Sequence, residues 1–175
     1  MRVLITGRQG SGKTTQAKIL SSKHNFFLVE TGGSVRKYAQ EDSERGRLLK
    51  SALDNGILAE NTVVSQIIKD AVEGSSSKDI VVDGYPRDVK QLEFYDPQYE
   101  KVIYLDLSPE ESYNRLLKRG REDDKPELIK ERLGIFERET MKSINHYRDM
   151  GILITIDASP SIEEVTSSIE QALGL

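Results

Sequence analysis

The 175-residue chain contains no cysteine, which excludes disulfides, thiolate-bound zinc and any thiol nucleophile. It carries only two histidines, His24 and His146. They are far apart and lack metal-ligand spacing, so they read as ordinary surface or helix residues. A basic excess is also missing. Against 25 Lys and Arg stand 29 Asp and Glu, for a net charge of −4, which argues against a general nucleic-acid partner. Nor is there a long hydrophobic run. Met1–Gly7 is apolar for a few residues before it meets glycine, too short for a signal h-region, and no later stretch approaches a membrane span. The expectation is a cytoplasmic protein with no membrane partner, taken by default as a monomer. Internal repeats and low-complexity tails are absent. What remains, 37% apolar and 31% charged residues, is the composition of a globular chain. Its length suits one domain with a core of its own.

Short apolar runs alternate with longer helical patterns. Val3–Thr6, Phe26–Val29, Ile80–Asp83, Val102–Leu105 and Ile152–Ile156 are nearly continuous in apolar residues, as suits strands buried on both faces of a parallel sheet. Helical patterns cover Lys13–Lys23, Ser43–Asp54, Asn61–Glu73, Pro109–Arg119, Pro126–Met150 and Ile162–Leu173. Ser43, Asn61 and Ser108 (followed by Pro109) stand where helix caps are expected. The alternation predicts an α/β fold, a doubly wound, five-stranded parallel sheet. It breaks twice. Residues 31–74 contain no strand, which predicts a helical arm inserted between the second and third strands. Residues 120–124 form a charged break between two helices. One domain over 1–175 is expected, with its core in 1–30, 75–119 and 125–175.

Gly7-Arg8-Gln9-Gly10-Ser11-Gly12-Lys13-Thr14 fits G-x-x-x-x-G-K-[ST] at the first strand–helix junction. The position matters because the loop must aim its backbone N–H groups at one point, with a helix N-terminus behind them. The motif predicts phosphate binding by Gly10, Ser11, Gly12, Lys13, Thr14 and Thr15. Lys13 should reach the β- and γ-phosphates, and the Thr14 hydroxyl should face Mg²⁺. Asp83, at the end of the third strand, is placed to hold Mg²⁺ through its waters. Arg87, behind Pro86, can aim a guanidinium at a transferring phosphate. The loop alone does not choose between a GTPase, a motor, a transporter subunit and a small-molecule kinase.

Four segments taken together, GSGKTTQA (10–17), TGGSVR (31–36), DGYPRDVKQ (83–91) and GREDD (120–124), resemble the adenylate kinase family of nucleoside monophosphate kinases. The resemblance runs from the first strand to the last helix. It implies reversible phosphoryl transfer from Mg·ATP to AMP, giving two ADP, with residues 31–74 as the nucleoside-monophosphate-binding arm and 120–124 as a minimal lid. By the same resemblance, Thr31 and Arg36 contact AMP, Ile57, Leu58 and Ala59 line its adenine, and Gly84 and Arg87 meet its phosphate. Gln91 matches the glutamine whose amide reads the adenine edge. An amide both donates and accepts, which complements that edge. Arg115 and Arg119, at i and i+4, share one helix face; the resemblance places the first on the ATP adenine and the second on its phosphates. Arg121 and Arg132 match the pair that clamps phosphates from the lid side. The catalytic set is thus Lys13, Arg87, Arg119, Arg121 and Arg132.

The sequence departs from the family pattern at four places. Thr14 stands where glycine is usual, Gln9 where proline is common, and Gly33 in place of an aspartate. Only Gly120 separates Arg119 from Arg121. Rival readings are a CMP or UMP kinase, against which Gln91 argues, and a nucleotide-sensing protein on the same fold, against which the arginine set argues. A shikimate- or gluconate-kinase-like enzyme leaves Asp-Gly-Tyr-Pro-Arg unexplained.

Overall fold

In the computed structural model, residues 1–121 and 124–175 are described. Glu122 and Asp123, inside the expected lid, lie outside the described residues. The apolar runs form five strands, β1 (Arg2–Gly7), β2 (Phe27–Glu30), β3 (Ile80–Asp83), β4 (Lys101–Asp106) and β5 (Leu153–Asp157), all parallel in the order β2-β3-β1-β4-β5. Central β1 and β3 are buried on both faces, which is why their sequences are continuously apolar. Successive residues feed opposite cores. Leu4, Ile80 and Val82 pack with Val35, Leu49, Ile68 and Tyr147 on one face. Val3, Ile5 and Val81 pack with Ala17, Leu20, Val165 and Ile169 on the other. Edge strand β2 is more open, with Phe27 exposed.

Helix α1 (Lys13–His24) follows β1, and α2 (Thr31–Tyr38), α3 (Glu44–Asp54) and α4 (Asn61–Glu73) fill the stretch between β2 and β3. Helix α5 (Pro109–Arg119) follows β4; α6 (Pro126–Ile135) and α7 (Met141–Asp149) precede β5, and α8 (Ile162–Leu173) closes the chain. Ser43 and Ser108 cap α3 and α5 through hydrogen bonds from Gly46 N and Glu111 N (3.0 and 3.1 Å). The cap expected at Asn61 is not there. Glu60 occupies the N-cap without a side-chain bond, and the Asn61 amide instead donates to Asp88 Oδ2 at 3.0 Å.

Two more differences bear on the site. Helix α2 falls inside the expected helical arm, but no separate helical pattern marks it, because Thr-Gly-Gly-Ser opens it and paired glycines disfavour helix; burial of Thr31 and Val35 holds it in place. The single helix expected over 126–150 is divided by a π turn at Phe136–Thr140, with Phe136 and Thr140 both buried. One widened turn rotates the following face, and such insertions recur at functional sites.

The chain leaves β1 toward β2 and later crosses to β4 on the opposite side, so a crevice opens beyond the C-terminal end of β1, the place where such sheets bind ligands. Among the described residues no helix is long and apolar enough to cross a membrane.

Candidate active site

The loop after β1 is shaped by its glycines. Gly10 and Gly12 adopt φ of +84° and +90°, and a Cβ at Gly7 would lie 2.5 Å from the Leu105 carbonyl oxygen. No side chain caps α1, so its N-terminus is offered to an anion.

In front of it lies a cleft of about 310 Å³, within the range of small-molecule sites. The fold brings Gly10, Gly12, Lys13, Thr14, Thr15, Thr31, Arg36, Ile57, Leu58, Ala59, Asp83, Arg87, Gln91, Arg115, Arg119, Arg121 and Arg132 to its walls. Ser11 is buried and is not among the cleft-facing residues. Gly84 borders a smaller adjoining cavity that shares Lys13 and Arg87. Against seven basic side chains, the described lining contains two acidic ones, Asp83 and Glu30.

Lys13 Nζ donates to the carbonyls of Gly7 and Arg8, 2.7 Å each. Burial is the main influence on it and pushes its pKa down to about 8; nearby Arg87 and Arg119 add to this, and Asp83 opposes it. Thr14 Oγ1 donates to Asp83 Oδ2 at 2.5 Å. A carboxylate and a hydroxyl so close at the cleft floor are hard oxygen donors suited to a divalent cation, directly or through water. No group of three or more His, Cys, Asp or Glu side chains forms a self-sufficient metal cage among the described residues.

The arginines after β4 converge on Asp124, the last residue of the GREDD segment, to which the sequence alone assigns no role of its own. The Asp124 carboxylate is fully buried and accepts from Arg119 Nε and Nη2 (2.8 and 2.7 Å), Arg132 Nη2 (2.8 Å) and Arg121 N (3.1 Å). Burial alone would raise its pKa, but the bonds from Arg119, Arg132 and the Arg121 backbone outweigh it and pull the pKa down to about 2. Arg115 is also tied, to the carbonyls of Ala158 and Ser159 (3.0 and 3.2 Å) and to Glu111 at 2.5 Å.

On the opposite wall, Gln91 is 2% exposed and sits in a short 3-10 helix, Val89–Glu93. Its Oε1 already accepts from Arg87 N at 2.9 Å. One function of the amide is therefore to order the Arg87 turn, so it is not wholly given to a ligand as the resemblance implies. Tyr85 Oη locks this corner by donating to the carbonyls of Gln91 and Tyr95 (2.9 and 2.7 Å). Thr31 is 2% exposed and its hydroxyl is buried without a partner. Gly33 adds no carboxylate, yet one stands there. Glu30 Oε1 lies 2.9 Å from where a Gly33 Cβ would be, with Lys18 at 3.5 Å and Arg36 at 3.9 Å. Glu30 shares strand register with Asp83, so the two side chains leave the sheet on the same face; that pairing is visible only in three dimensions. His24 binds Glu170 at 2.7 Å, away from the cleft.

The sequence profile described as adenylate kinase matches residues 5–152. An adenylate kinase of Synechococcus sp. (strain CC9311) is 34% identical over 98% of this chain and 98% of its own length. An adenylate kinase 1 of Nostoc sp. (strain PCC 7120) is 33% identical over 99% and 98%. An adenylate kinase isoenzyme 1 of Rattus norvegicus is 34% identical over 95% and 91%.

Proposed function

The chain belongs to the adenylate kinase family, and on that premise we propose how its cleft converts ATP and AMP into two ADP. It is an enzyme, a nucleoside monophosphate kinase. The observation that supports the reading best is the convergence of Lys13, Arg36, Arg87, Arg119, Arg121 and Arg132 on one cleft between the glycine loop and the helices of residues 31–74.

ATP lies with its phosphates on the loop and on the N-terminus of α1, held by Lys13 and Arg119, with Arg115 beside the base. AMP lies across the cleft. Thr31 and the apolar run Ile57–Ala59 border its base, Gln91 reads the adenine edge, and Arg36 and Arg87 hold its phosphate. A phosphate oxygen of AMP attacks the γ-phosphorus as the bond from that phosphorus to the β-γ bridging oxygen breaks. The acceptor is already an oxyanion, so no base is needed and the histidines stay out of the reaction. The protein's work is to align the two nucleotides and to neutralise charge spreading over the transferred group. Mg²⁺, when bound with ATP, neutralises phosphate charge; Thr14 and Asp83 would hold it, the latter through water. A minimal lid over 120–124, an arm over 31–74, a monomeric state and a cytoplasmic location complete the proposal, with no nucleic-acid or membrane partner.

The test is ADP formation from ATP with AMP, CMP, UMP or GMP as acceptor. AMP should be preferred by orders of magnitude, since a buried amide without its partner penalises the wrong base. Equal use of UMP or CMP would replace this acceptor assignment, and absence of turnover would favour a nucleotide sensor.

A further inference from the structure

Arg8 occupies one of the variable positions of the glycine loop, where the motif asks for no particular side chain, yet few residues here are more heavily engaged. It is buried, and its guanidinium donates to Glu137 Oε1 through Nε and Nη2 (3.0 and 2.5 Å). Its Nη1 donates to the Leu107 carbonyl at 2.8 Å and to Tyr104 Oη at 3.2 Å. Phe136 lies beneath it, 4.9 Å from ring centroid to guanidinium carbon. The backbone of the same residue faces the chemistry. Its carbonyl accepts from Ser11 N at 3.2 Å and from Lys13 Nζ at 2.7 Å. The side chain therefore anchors the loop limb on which the lysine rests.

Glu137 and Phe136 belong to the π turn 136–140. At its other end, Thr140 Oγ1 donates to the Arg87 carbonyl at 2.8 Å. One turn thus touches the donor loop through Arg8 and the acceptor corner through Thr140. Lys13, Arg87, Phe136 and Thr140 border the same small cavity. The turn thus links the loop limb beneath Lys13 with the backbone of Arg87.

We propose that Arg8 is a positioning residue for phosphoryl transfer, forming with the π turn 136–140 a strut that fixes the separation of Lys13 from Arg87. The inference rests on the kinase reading above and deepens it. Neither Arg8 nor Glu137 borders the main cleft, so loss of their pairing leaves both nucleotides bound and misaligns them at the transition state. Misplacement of about 1 Å by a remote change costs up to about a hundredfold in rate, and such a loss appears in kcat.

The experiment compares wild type, Arg8→Met, Arg8→Lys and Glu137→Gln in steady-state ADP formation, with melting temperatures alongside. Expected is a loss in kcat of between about ten- and a hundredfold for Arg8→Met, with KM for ATP and for AMP little changed and partial rescue by Arg8→Lys. Glu137 is half-exposed, so Glu137→Gln keeps the variant set informative if Arg8→Met fails to fold; it should lose kcat in the same direction by a smaller factor. Wild-type kcat in folded Arg8→Met, or in Glu137→Gln where Arg8→Met does not fold, overturns the strut. So does a loss confined to melting temperature or to KM. A wild-type protein that forms no ADP is a different result, since it removes the kinase reading itself.

Discussion

Replacing Asp124 with asparagine removes one charge and leaves the side chain's shape nearly unchanged, so the consequences isolate the electrostatics of the arginine clamp. In the folded chain the carboxylate is fully buried and its pKa falls from 3.8 to about 2. A downward shift of that size corresponds to about 2–3 kcal/mol of stability at neutral pH. Removing one partner of a wholly buried ion pair costs about 3–5 kcal/mol, but Arg119 and Arg132 keep 31% and 15% of their side chains exposed and regain some hydration. About 2 kcal/mol is the expected loss, or roughly 4–8 °C in melting temperature for a chain of this size. The sign of the pH dependence follows from the depressed pKa. The contribution is complete above about pH 4 and disappears as pH falls through about 2, so the wild type loses its advantage over Asp124→Asn across that window. Urea melts at neutral pH and at the acid end of the window measure both quantities. Arg119 and Arg132 lose their common anchor, so kcat/KM for ATP should fall by between about ten- and a hundredfold. A variant as stable as wild type at pH 7, with unchanged kcat/KM, would refute the clamp.

Three further outcomes are expected. Gln91→Ala should weaken AMP use by about 1–3 kcal/mol while KM for ATP stays near the wild-type value; equal rises in both KM values would contradict its place on the acceptor side. Lys13 has a pKa of about 8 in the nucleotide-free protein, so ATP affinity measured by calorimetry should weaken as pH rises through that value, and an affinity flat to pH 10 would exclude the ammonium as a phosphate contact. With a single glycine between Arg119 and Arg121, ATP hydrolysis without AMP should be detectable and suppressed by a non-reactive AMP analogue, because water exclusion comes with closure; no hydrolysis above background would show that the corner already seals the site.

Features set by near neighbours along the chain are legible in the sequence. The loop 7–14, the Ser108–Pro109 start of α5 and the continuous apolar runs of β1 and β3 each depend on a local pattern, and their boundaries move by no more than two residues. Features set by convergence are not legible there. Asp124 gains its meaning only when α5 and α6 bring Arg119 and Arg132 to one carboxylate. Glu30 reads as an ordinary strand-end acid until β2 and β3 pair and put it beside Asp83 over Gly33. Arg8 sits in a motif position with no required identity, and its partners lie about a hundred residues away in β4 and the π turn. That turn itself leaves no periodic trace, since one inserted residue shifts the helical phase without breaking the apolar pattern. Helix α2 is masked by glycines whose reluctance tertiary burial overrides.

In the proposed mechanism, charge neutralisation by cations converging on one cleft, Lys13 first among them, moves the phosphoryl group. ADP formation from ATP and AMP with Lys13→Ala beside wild type, circular dichroism confirming the fold, puts this to the test. Burial opposes the charged lysine, so its removal should leave the protein folded and no less stable while phosphoryl transfer falls by about a hundred- to a thousandfold, the scale of one preorganised donor acting on the transition state. A folded Lys13→Ala protein that keeps most of the wild-type rate would contradict the account.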